Sequence, residues 1–83
     1  MATIDRVKGL LNDVLQLGGR ASGWNESTPL LGNVAELDSM AVANVITALE
    51  DELGLTIDDD DIDGDVFATL GTLTQFVERK QRA

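Results

Sequence analysis

The chain contains no cysteine and no histidine. Without cysteine, neither a disulfide framework nor a thiolate zinc site can hold the fold together, so its stability must come from packing. Without histidine, the usual general base, a common metal ligand and any Ser-His or Cys-His nucleophile pair are excluded. Conventional hydrolase chemistry is therefore not expected. Long apolar runs are missing too: Asp5, Arg6, Lys8, Asn12 and Asp13 interrupt residues 1–17, which leaves no signal-peptide core and no membrane span. The expectation is a cytoplasmic protein acting as a monomer. At 83 residues it should form one domain over residues 1–83. A domain of this size buries only about 60% to 65% of its unfolded surface, which favours carrying or binding over a built-in catalytic cleft.

Basic residues are scarce as well. Fifteen acids against six bases give a net charge of −9, which repels nucleic acid and anionic lipid and favours basic partners. Residues 36–65 hold Glu36, Asp38, Glu50, Asp51, Glu52, Asp58, Asp59, Asp60, Asp61, Asp63 and Asp65 but no Lys or Arg. The bases lie near the two ends.

What is present is helical periodicity. Ile4, Val7, Leu10, Leu11, Val14 and Leu15 repeat at helical spacing and predict an amphipathic helix over residues 3–17, closed by Gly18 and Gly19. Residues 20–37 read as a long ordered loop, with Trp24 and Leu31 expected to pin it to the bundle. Val42, Val45, Ile46, Leu49 and Leu53 predict a second helix over residues 39–53, stopped by Gly54. The acidic run should hold a short helical turn at residues 60–66. Leu70, Leu73, Phe76 and Val77 predict a last helix over residues 70–81, whose Arg79, Lys80 and Arg82 suit the negative end of its dipole. The fold class is thus all-α: a small four-helix bundle of three longer helices and one short one, with a long loop between the first and second.

The stretch Glu36-Leu37-Asp38-Ser39-Met40 lies where the polar loop meets the second helix. An isolated serine at such a junction reads as a helix N-cap. Its context resembles the acyl carrier protein family. Leu37-Asp38-Ser39-Met40 is similar to that family's Asp-Ser-Leu/Met signature and follows a loop containing Leu31-Gly32. After it, at family spacing, come Val45, Ile46, Leu49-Glu50-Asp51-Glu52-Leu53-Gly54, Ile57-Asp58 and Thr69-Leu70-Gly71-Thr72-Leu73.

The resemblance implies that Ser39 carries 4′-phosphopantetheine through a phosphodiester. A separate phosphopantetheinyl transferase would donate the group from coenzyme A. Asp38, which by itself reads as a local cap or dipole partner at the helix start, would by the resemblance also help that enzyme engage the serine. The arm's thiol would hold an acyl group as a thioester, and the protein would be no enzyme itself. A helix start is a favourable place for a phosphate. Met40, Ala43, Asn44, Thr47, Glu50 and Asp51 would form the partner side of the second helix. They would meet acyl-loading, condensing or acyl-transfer enzymes that have basic docking patches. Val45, Ile46 and Leu49 would line the core and any acyl pocket. Sequence separates fatty-acid or polyketide cargo from an aminoacyl or peptidyl one poorly. Ala43 and Asn44 thin the acidic stripe, and the 58–67 segment is long for a housekeeping carrier, so a specialised acyl pathway is at least as good a reading.

A competing motif runs through the aspartates. Asp59, Asp61 and Asp63, then Gly64 and Val66, match the first eight positions of an EF-hand calcium loop. Leu70 falls where that loop needs a bidentate Glu, and the helix before it stops at Gly54, so no metal ligand is assigned.

Overall fold

The computed structural model describes residues 3–82, without the Asp59 side chain. Among the described residues the longer elements are all helices, with α1 at Thr3–Val14, α2 at Ser39–Leu53 and α3 at Leu70–Arg82. Helix α1 packs against both α2 and α3. Each gives one apolar stripe to a common core: Val7, Leu10 and Leu11 from α1, Ala41, Val45 and Leu49 from α2, and Leu70, Leu73, Phe76 and Val77 from α3. None of these helices is long and apolar enough to cross a membrane.

Both ends of α2 agree with the sequence reading, whereas α1 is shorter than its periodicity suggested. It ends at Val14. Gln16 takes a left-handed φ of 54°, and the Leu17 amide donates to the Asn12 carbonyl at 3.0 Å, the long closing bond of a Schellman motif. The helix has closed before Gly18 and Gly19. Leu15 within the turn and Leu17 after it remain buried, so the apolar pattern outlasts the helical geometry. At the other end of the chain, Thr69 and Thr72 cap α3 reciprocally: the Thr72 amide donates to Thr69 Oγ1 at 3.1 Å and the Thr69 amide to Thr72 Oγ1 at 3.0 Å.

The long loop contains a 3₁₀ turn at Arg20–Gly23 and is held by its backbone as much as by its apolar residues. Leu30 and Leu31 amides donate to Ala68 and Phe67 carbonyls, both at 3.0 Å, and the Leu70 and Gly71 amides donate back to Thr28 and Glu26, both at 2.9 Å. Pro29 and Thr69 form an isolated antiparallel bridge within this pairing. Trp24 is half-buried against the core as expected. Leu31 does not pin the loop: it is 46% exposed, and its neighbour Leu30, at 1%, takes that place.

The short fourth element is a 3₁₀ turn at Asp59–Asp61, not a helical turn reaching Val66. Asp63 turns its carboxylate onto the amides of Asp65 and Val66, at 3.0 and 3.2 Å, a side-chain turn that competes with helix formation. Val66 and Phe67, both buried, anchor the segment beyond it.

Candidate functional site

A helix start leaves its first amides without intrahelical acceptors. At α2 one of them is satisfied by Asp38, not by Ser39. Asp38 has extended backbone, φ −101° and ψ −174°, and its Oδ1 accepts from the Ala41 amide at 2.8 Å. The expected serine cap is thereby corrected: Ser39 is the first helical residue. Its side chain is exposed, and with the capping task held by Asp38 its hydroxyl is free for other chemistry. The Asp38 carboxylate also meets the positive end of the α2 dipole.

Two contacts fix the approach to this junction. Leu37 is buried, and its amide donates to the Val34 carbonyl at 2.9 Å. Just before it, Glu36 forms an ion pair with Arg20, whose Nε also donates to the Leu17 carbonyl at 3.2 Å. A backbone hydrogen bond at Glu36 itself, followed by the Arg20 guanidinium, holds the Glu36 carboxyl below the usual carboxylate range. Sequence reading missed this pair, because two oppositely charged loop residues far apart in the chain carry no periodic signal.

Beyond the junction, Met40 is 77% exposed, and Ala43, Asn44, Thr47 and Asp51 are exposed along α2. The Thr47 hydroxyl donates to the Ala43 carbonyl at 3.1 Å. Glu50 differs: half-buried, it accepts from the Ile57 amide at 3.3 Å and braces the segment leaving the helix. Val45 and Leu49 are fully buried and Ile46 is half-buried. An open groove of about 850 Å³ lies between the acidic segment and α3, lined by residues such as Asp61, Val66, Phe76 and Lys80 and by none from α2.

The aspartates of the calcium-like motif face their own backbone and a lysine. Asp61 Oδ2 accepts from Lys80 Nζ at 2.5 Å and from the Asp58 amide at 3.0 Å. The Lys80 hydrogen bond, then the Asp58 amide, hold the Asp61 carboxyl below its usual range. Asp63 serves the turn described above, and the Asp59 side chain lies outside the described residues. Among the described residues no three acidic side chains converge in a way that could hold a metal ion.

Residues 5–77 match the family described as phosphopantetheine attachment site. The chain belongs to the acyl carrier protein family. It is also similar to the holo acyl carrier protein of Nitrosomonas europaea, solved by solution NMR. The two share 49% identity over 100% of both chains with a TM-score of 0.92. No curated protein matches it. This carrier protein is thus not an enzyme, and its prosthetic group is a covalently attached 4′-phosphopantetheine. The junction fits such a group: it offers a solvent-facing hydroxyl on the first residue of a 15-residue helix, where unpaired amides and the dipole favour phosphate.

Proposed function

We propose that Ser39 is the residue esterified to 4′-phosphopantetheine and that the carrier presents an acyl group to enzymes of a specialised pathway in the cytoplasm, acting as a monomer. The observation that carries this reading is the division of labour at the helix start, where Asp38 caps and Ser39 stays exposed. During loading, the transferase removes the Ser39 hydroxyl proton as that oxygen bonds the phosphorus of coenzyme A, and the adenosine bisphosphate portion leaves. Once bound, the group supplies a thiol that holds the acyl cargo as a thioester. The chain's own contribution is to keep the serine outward and to offer a docking face.

That face consists of Met40, Ala43, Asn44, Thr47 and Asp51, with Glu50 at its edge. Methionine adapts to several partners, and the acids favour basic patches on the transferase and on the acyl-handling enzymes. Ala43 and Asn44 supply no charge there, and Glu50 is engaged with Ile57, which supports a specialised pathway over ordinary fatty-acid synthesis. Incubation with a broad-specificity phosphopantetheinyl transferase and coenzyme A, followed by intact mass, tests the central claim. One phosphopantetheine should be added to the wild type and none to Ser39→Ala. Modification of a folded Ser39→Ala protein would sink the assignment.

A further inference from the structure

We infer that the Arg20 and Glu36 ion pair is a positioning device for the acceptor serine, setting how the α2 start is presented to the phosphopantetheinyl transferase. The inference rests on Ser39 being the acceptor. Arg20 is the only base between Lys8 and Arg79. It opens the 3₁₀ turn at Arg20–Gly23 and points its guanidinium in two directions: Nε to the carbonyl of buried Leu17, at the close of α1, and a terminal nitrogen to the Glu36 carboxylate. One planar group thus joins the end of the first helix to the start of the second.

Little slack separates that contact from the serine. Only Leu37 and Asp38 stand between Glu36 and Ser39; one is buried in the core and the other caps the helix. Upstream, Leu31, Gly32, Asn33 and Ala35 are all exposed. Glu36 therefore marks the point where the exposed side of the loop becomes the fixed approach to α2. Its other oxygen, Oε1, is shielded from solvent and has no hydrogen-bond partner. Arg20 holds the opposite oxygen, Oε2, and is the one cation on this carboxylate. Without it the half-buried group keeps a shielded, unpartnered oxygen and loses its counter-charge, and the segment must shift to hydrate it. Lysine cannot replace the arginine, because a single ammonium lacks the rigid fork that reaches Leu17 and Glu36 together.

The test compares full-length wild type, R20Q, R20K, E36Q and R20Q/E36Q, each confirmed as folded by circular dichroism. Transferase kinetics are measured across carrier concentrations with coenzyme A saturating. R20Q should lower kcat about tenfold with KM changed less than about twofold, since a small misplacement of a reacting group costs rate more than binding. E36Q should behave similarly and provides the same comparison in case R20Q unfolds. R20K should not restore the rate, and the double variant should lose no more than R20Q alone. A second readout is independent of activity. The Ala41 amide, held by Asp38, should exchange with solvent faster in R20Q while the amides around Val45 keep wild-type protection. Wild-type kcat in R20Q, a loss confined to KM, full rescue by R20K, additive losses in the double variant or unchanged Ala41 exchange would each overturn the inference. Failure of the wild type to accept the group, or acceptance by Ser39→Ala, would instead overturn the assignment of Ser39 itself.

Discussion

Asp38 and Asp63 both turn a carboxylate onto backbone amides two or three residues ahead: Ala41 at 2.8 Å in one case, Asp65 and Val66 at 3.0 and 3.2 Å in the other. The first opens a 15-residue helix with a strong apolar stripe behind it. The second opens no helix, and the chain runs through a turn to Val66 and Phe67. A similar contrast holds for the ion pairs. Arg20 ties Glu36 to the end of α1 just before the exposed serine, while Lys80 ties Asp61 to α3 and closes the acidic segment onto the bundle. The local chemistry is the same in both regions. What differs is the apolar sequence that follows, and it decides whether a cap leads into a long helix or into a strap. The acidic run is therefore not one uniform solvated face.

The comparison breaks most visibly at Ser39. If capping and acceptance are separate tasks, Ser39→Ala should abolish phosphopantetheine attachment, measured by intact mass, yet change stability in urea by no more than about 0.5 kcal/mol, as for a surface residue without a structural role. A loss near that of a missing cap would return the capping role to the serine. Asp38→Ala should do the reverse. It removes the cap and should cost about 1 kcal/mol, lowering the midpoint of thermal unfolding by roughly 4–8 °C in a domain of this size. Attachment should still occur, but more slowly.

Asp63→Ala sharpens the contrast from the other side. Its carboxylate serves an exposed turn, so the loss in urea stability should stay within about 0.5 kcal/mol, with attachment at the wild-type rate. An effect equal to that of Asp38→Ala would mean that the two carboxylates do equivalent work after all.

These regions also differ in how far they could be read before the structure. The ends of α2 were legible because a cap-forming aspartate, a continuous stripe through Val45 and Leu49, and Gly54 with its left-handed φ of 68° agree with one another. The end of α1 was not, since Leu15 and Leu17 continue the apolar pattern past Val14, on either side of Gln16 where the chain reverses. Burial and helicity coincide along α2 and separate there. The pairing of residues 26–31 with 67–71 had no local signature, because it is made by backbone groups that every sequence possesses. Asp38 and Ser39 could be singled out from their motif, but which of them caps depended on backbone angles. Arg20 and Glu36 meet only because α1 closes where it does.

The smallest effect expected comes from acid. Lys80 holds the Asp61 carboxyl below its ordinary value of 3.8, so the unfolded chain binds that proton more readily than the folded one. The linked stability is fully present above that ordinary value and is lost as pH falls through the lower folded value. Glu36, depressed from an ordinary 4.5 chiefly by its backbone hydrogen bond, behaves in the same sense over a slightly higher window. Lys80→Met should remove the Asp61 part alone. Urea midpoints of wild type and variant should then differ at neutral pH and converge below about pH 4 as the unfolded carboxylates gain protons. Asp60, Asp63, Asp65, Glu78, Arg79 and Arg82 border the same groove, and the variant also makes a chain of charge −9 more negative. Added salt separates these contributions: general repulsion is screened over about 8 Å at physiological ionic strength, whereas a direct, partly shielded contact is screened less. A difference that survives salt at neutral pH and vanishes in acid assigns the clasp to Lys80 and Asp61. Curves that stay parallel down to the acid limit would show that Lys80 acts only through overall charge and that the strap is held by Val66 and Phe67.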